Sequence, residues 1–109
     1  MNPIYIALPV QHYLFDWLFQ TRWMANNKSK NWLALTVHCS VVSAGLALTM
    51  MMFNLPLIWF TVNAVMHFVI DGFTSRLTSI AWASKQEKLF FSLIGLDQLL
   101  HYVLLFGML

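Results

Sequence analysis

Imidazole and carboxylate groups recur at one spacing along the chain. His12 precedes Asp16, His67 precedes Asp71 and Asp97 precedes His101, each by four residues, and a lone His38 lies between the first two pairs. All four histidines and three of the four acidic residues fall within runs otherwise fit for lipid. A helix places residues i and i+4 on one face, so each pair points one way. Nitrogen and oxygen ligands converging from several helices suit a divalent cation, which also offsets the buried negative charge. No cysteine cluster accompanies them, so the mixed set points to zinc first, with manganese or iron(II) next, over copper(I). The expected metal ligands are His12, His38, His67, Asp71, Asp97 and His101, with Asp16 and Asp71 as the expected catalytic carboxylates. Seven groups exceed one tetrahedral shell, so some orient the others or two ions are held.

The cost of these residues argues against accident. A carboxylate at the centre of a membrane helix costs about 2.5–3.5 kcal/mol on the insertion scale, so three such Asp residues need compensation. Plainer roles exist for each group. A single histidine such as His38 serves equally as an interhelical hydrogen-bonding residue, and the whole set as a metal-free network or a proton relay. Asp16 and Asp71 can pair with Arg22 and Arg76. Gln20, Asn63 and Gln98 read as network partners, and Met50 to Met52 as gap-filling packing. Cys39 adjoins His38, projects about a quarter turn away and reads as packing too.

Composition states what must position these groups. With 60% hydrophobic and 9% charged residues and a mean hydropathy of +0.67, the chain has too little polar surface to coat a water-exposed globule. An all-α polytopic membrane protein is expected, a four-helix transmembrane bundle with a polar His/Asp core. Four crossings of about 20 residues use nearly all 109 residues, leaving one domain and no soluble one. The net charge of +2 comes from six basic residues, which set orientation and suggest no nucleic-acid partner. Cys39 is the only cysteine, so no internal disulfide forms.

The predicted helices span about residues 4–21, 32–53, 56–75 and 85–108. Asn2-Pro3 opens the first, as cap and first helical position. No basic stretch precedes it, so a removable signal peptide is not expected, and Pro9 either begins its straight part or kinks it. Asn31 caps the second segment, and Asn54 or Leu55 the third, ahead of Pro56. Leu77 to Ala83 is expected along the interface, and Ser84-Lys-Gln-Glu87 has capping-box spacing for the fourth helix.

Arg22, Lys28, Lys30, Arg76, Lys85 and Lys88 all lie in or beside the two loops that four crossings put on one face. The expected location is a bacterial inner membrane, with basic loops cytoplasmic and both termini outside. Trp17, Trp23, Trp32 and Trp82 lie toward the charged face and Trp59 toward the other, as interfacial belts would. Counting about 1.5 Å of rise per residue from the nearest basic residue, Asp16 and Asp71 lie roughly 8–9 Å deep, and His101, the deepest, roughly 19 Å. The stripes His12, Asp16, Gln20 and Asn63, His67, Asp71, Ser75 hint at a duplicated helical hairpin.

His12-x-x-x-Asp16 with Gln20-Thr21, Trp23-Met24-Ala25 and Lys28, then His38, His67-Phe-x-Ile-Asp71 and Asp97-Gln98-x-x-His101 form an ordered set over nearly the whole chain. In this the sequence resembles the family of domain of unknown function 3307, small integral membrane proteins of bacteria and phages. It departs from the pattern at Gly72-Phe73-Thr74, where related sequences carry a lysine. The resemblance implies the membrane fold and the importance of the polar residues, and conveys no activity.

Three functional classes follow. In the first, a metal centre hydrolyses a phosphate or ester of a lipid reached from the cytoplasmic leaflet, with Asp16 or Asp71 as base. In the second, the protein conducts a divalent cation or protons; the one-sided placement of the acids counts against it. In the third, it is a metal-stapled interaction module, for example a phage factor acting on a host membrane protein. Beyond the lipid bilayer, the expected partners are a further copy of the chain or another membrane protein.

Overall fold

The computed structural model describes residues 2–109. Helices dominate and no strand occurs among the described residues. Helix α1 is Ile4–His12, continued by a π-helical segment at Tyr13–Leu18. Then come α2 at Arg22–Asn27, α3 at Trp32–Phe53, α4 at Leu57–Ala83 and α5 at Glu87–Gly107.

Local chemistry explains most helix ends. The Asn2 side chain accepts from the Ile4 N–H at 3.1 Å and opens α1. Asn31 does the same for α3, accepting from Leu33 at 2.8 Å. Thr21 accepts from the Met24 N–H at 3.2 Å and starts α2, a helix inside the expected first loop. Asn54 closes α3 and does not open α4. Its φ of 52° is the left-handed cap that asparagine tolerates, and Pro56 stands at the cap of α4.

Three expectations are corrected. Among the described residues only α3, α4 and α5, of 22, 27 and 21 residues, are long and apolar enough to cross a membrane, three helices where four were expected. The first segment falls short because its regular helix ends at His12 and the π turns end at Leu18, before residue 21. The third helix does not stop near Ser75; it runs unbroken through Arg76 to Ala83, because nothing between them breaks a helix. The capping box at Ser84 does not form: Lys85 takes a φ of 58°, the Gln86 N–H bonds back to the Ala81 carbonyl, and α5 starts at Glu87 without a side-chain cap.

α1 packs on α3, α3 on α4, and α4 along α5, whose return to α1 closes the ring; α2 rests on α3. Close approach of the first segment to α3 depends on Gly45, since a Cβ there would overlap the Phe15 ring. At the end of the bundle near the termini, Ile4, Leu8, Val42, Leu46, Trp59 and Leu105 form a dry core. Trp59 is fully buried in it and its indole N–H donates to the Leu105 carbonyl at 2.9 Å, so it is a core residue and not part of a belt. The other four tryptophans are exposed. The remainder is inverted relative to a water-soluble protein, with His, Asp, Asn and Thr inside and Ile58, Val65, Val69, Phe73 and Ile80 outside.

Candidate metal centre

The first segment, α3, α4 and α5 each deliver one part of the polar set to a common point beside the dry core. Asp16, on the π segment, is central. Its Oδ1 lies 2.9 Å from His38 Nε2 and 3.5 Å from His67 Nε2, while Oδ2 lies 3.3 Å from His12 Nε2. The two imidazole nitrogens of His38 and His67 are themselves 3.5 Å apart. π turns are concentrated at functional sites, and here the turn carries the residue on which three histidines converge.

The other carboxylates have different partners. Asp71 Oδ2 lies 3.3 Å from His38 Nε2, and its Oδ1 receives the Lys28 ammonium at 3.2 Å. The alternative pairing of Asp16 and Asp71 with Arg22 and Arg76 is not formed among the described residues. Arg76 reaches only the end of its own turn, donating to the Gly72 carbonyl at 2.6 Å, and stacks over Trp32 at 4.0 Å. Asp97 is held by hydrogen bonds: Thr74 donates to Oδ1 and the Gln98 amide to Oδ2 at 3.2 Å. Gln98 Oε1 in turn accepts from His12 Nε2–H at 2.6 Å. A line Asp97, Gln98, His12, Asp16 therefore crosses from α5 to the first segment. His101 Nδ1 donates to the Asp97 carbonyl at 2.6 Å, which fixes Nε2 as its lone-pair nitrogen, and its ring lies 4.3 Å from that of His67.

All seven expected groups are thus buried and brought together. Three sets of ligand atoms lie mutually within 4.8 Å: His12, Asp16 and His101; Asp16, His38 and His67; and Cys39, His67 and Asp71. In the last set α3 turns the thiol of Cys39, read as packing, toward His67 and Asp71 on α4. Asn63 donates to the Trp59 carbonyl at 2.8 Å, within its own helix. Gln20 lines the cavity described below, and its Oε1 has no partner among the described residues.

Sequence reasoning missed Lys28, Thr74 and Gln11. Thr74 follows Asp71 by three residues on the same helix face, a usable signal. Lys28 reaches Asp71 only because α2 folds the loop back, and Gln11, buried beside His12, carries no periodic mark.

Several buried polar atoms lack a hydrogen-bond partner among the described residues, including Asp16 Oδ1, Asp71 Oδ2, His38 Nδ1 and His101 Nε2. Asp16 Oδ1 is unsatisfied although a nitrogen lies 2.9 Å away, because the approach is not directed as a hydrogen bond. Of these unpartnered atoms, Asp16 Oδ1 and Asp71 Oδ2 flank His38 Nε2, at 2.9 and 3.3 Å.

On one side of the cluster a cavity of about 210 Å³ reaches Asp16, Asp71 and Asp97 past Lys28 and Ser75. On the other, a void of about 10 Å³ lies among Gln11, His12, His67 and His101 before the dry core closes the bundle.

No curated protein and no solved structure matches the chain. The sequence model of one family, described as Protein of unknown function (DUF3307), matches residues 4–108. Every histidine and aspartate of the cluster falls within that match, and the chain belongs to this family of proteins of unknown function.

Proposed function

We propose that the protein is an integral membrane protein holding one divalent transition-metal ion, zinc first, on Asp16, His38 and His67, for hydrolysis of a lipid-linked phosphate or ester. The observation that carries this reading is the triangle of Asp16 Oδ1, His38 Nε2 and His67 Nε2, with sides of 2.9, 3.5 and 3.5 Å. Bonds of about 2.0–2.1 Å in a tetrahedral shell put neighbouring ligands about 3.3–3.4 Å apart. Separations of 2.9 to 3.5 Å bracket that spacing, and the mixed imidazole and carboxylate donors put zinc first, ahead of manganese or iron(II). Two imidazoles and one carboxylate, with a fourth position free, are a ligand set of zinc hydrolases.

A cation of this kind supplies Lewis acidity, polarising a phosphoryl or carbonyl oxygen and acidifying water. The chain's own groups do the rest. Asp71 presents its unpaired Oδ2 beside His38 and borders the cavity, so it is the group that takes a proton from water, while Lys28 holds its other oxygen. Asp97 and Gln98 fix the His12 ring, and His12 fixes Asp16 Oδ2, so His12 and Asp97 orient the ligand set and need not belong to it. The dry core of Leu8, Leu46 and Trp59 keeps water out from the far side. That seal also speaks against a conduit, which needs polar groups on both sides.

In the bilayer α3, α4 and α5 cross, and the shorter first segment passes between the same two faces beside them. The basic loops face the cytoplasm of a bacterial cell and the termini the outside. The test is release of phosphate from phosphatidic acid, or of fatty acid from its esters, by protein in mild detergent. Turnover that stops with chelator, returns with zinc and is lost in Asp71→Asn is expected. A zinc-loaded protein inert toward both classes would end the hydrolytic reading.

A further inference from the structure

The cavity beside the cluster is one of two that share a wall. The inner one, about 210 Å³, and an outer one, about 240 Å³, are both lined by Ala25, Lys28, Ser75 and Thr78. The outer hollow continues among Ser29, Lys30 and Ser79. Lys28 is the only cationic residue on the inner cavity among the described residues, and its Nζ already holds Asp71 Oδ1 at 3.2 Å. An ammonium has three donors, so it can serve that carboxylate and an anion in the cavity together. Ser75 is 7% exposed, and its Oγ is buried with no hydrogen-bond partner among the described residues. It is a donor without a task in a wall facing both hollows.

The inner cavity also has an apolar flank of Trp17, Phe90 and Ile94. These side chains stand on the π segment and on α5, and no Cα of Tyr13–Leu18 lies within 8 Å of one in α5. The first segment and α5 meet at His12 and Tyr102, whose rings lie 5.0 Å apart, and form a wider seam where Trp17, Phe90 and Ile94 line the cavity. Polar at one end and apolar at the parted seam, the cavity has the character of an amphiphile.

We infer that Lys28 and Ser75 form a binding site for the phosphoryl group of an anionic amphiphile whose apolar part leaves between the π segment and α5. The inference rests on the hydrolytic reading above, of whose centre it names the ligand. It places a phosphoryl group next to Asp16 and Asp71, and it selects a phosphate monoester lipid over a choline phosphodiester, because a monoester presents three terminal oxygens and more negative charge to the Lys28 ammonium and the Ser75 hydroxyl.

The full chain in mild detergent is titrated with dioctanoyl phosphatidic acid, dioctanoyl phosphatidylcholine and inorganic phosphate, following bound ligand by native mass spectrometry, with zinc content measured on the same samples. Phosphatidic acid is expected to bind at least about tenfold more tightly than either other probe. Lys28→Gln and Ser75→Ala each weaken it by about tenfold, and Lys28→Arg retains most of it. Ser75→Ala removes a hydroxyl that bonds nothing in the free protein, so its loss of binding is not a loss of fold. Equal binding of the two lipids, or a folded Ser75→Ala protein that binds phosphatidic acid like the wild type, overturns the inference. Inorganic phosphate binding as tightly as phosphatidic acid overturns the lipid seam. Zinc-free protein that binds phosphatidic acid through Lys28 keeps this site and removes the hydrolytic reading; zinc-loaded protein without the preference does the reverse.

Discussion

Asp16 meets three imidazoles with two oxygens, and neither oxygen has another role. Asp16→Asn replaces an acceptor-only group by one that must also place an amide nitrogen among ring nitrogens, so metal content should fall from about one equivalent to a small fraction of that. Gln98→Leu acts at a distance, through the bonds to Asp97 and His12. It should weaken zinc by about 10- to 100-fold in chelator competition without abolishing binding, the usual scale for an orienting partner. Much of this was legible in the sequence, since the i, i+4 pairing marks the residues that share a helix face. What was not legible is the division of labour. Spacing treats His12 and His67 alike, whereas Gln98 takes up the His12 nitrogen and leaves that of His67 facing Asp16. The Lys28 partnership was likewise hidden, because it spans 43 residues and depends on α2.

At the scale of elements, the first segment controls the site. Phe15 sits where a Cβ of residue 45 would lie, so Gly45→Leu forces the segment away from α3 and carries Asp16 with it. Overpacking of this kind costs about 1–3 kcal/mol, and here metal content should drop alongside the unfolding midpoint in detergent. Trp59→Phe tests the opposite end. It removes the bond to the Leu105 carbonyl and should cost about 1–2 kcal/mol while leaving the metal in place. The apolar runs in the sequence placed α3 to within a residue, because Asn31 and Asn54 punctuate it. They misplaced the ends of the first helix and of α4, since neither a π turn nor the continuation of a helix through Arg76 leaves a mark in hydropathy.

Beside its dry core the molecule has a polar interior in an apolar coat, and three of its helices are long and apolar enough to cross a membrane. The proposed orientation rests on six basic residues on or beside the two connections at one end of the bundle, Arg76 within α4 and Lys88 within α5. Cys39 is the only cysteine and is buried, so introduced cysteines report cleanly. A cysteine at Ser29 should resist an impermeant maleimide applied to intact cells, and one at Asn54 should react; the reverse pattern would invert the topology. The central claim, a metal ion held by Asp16, His38 and His67, is tested most directly by elemental analysis of protein purified in mild detergent without added metal or chelator, beside His67→Ala. About one zinc per chain in the wild type, and none in a variant that remains helical, is the predicted result. Folded wild-type protein free of transition metal, or His67→Ala that keeps its zinc, would contradict it.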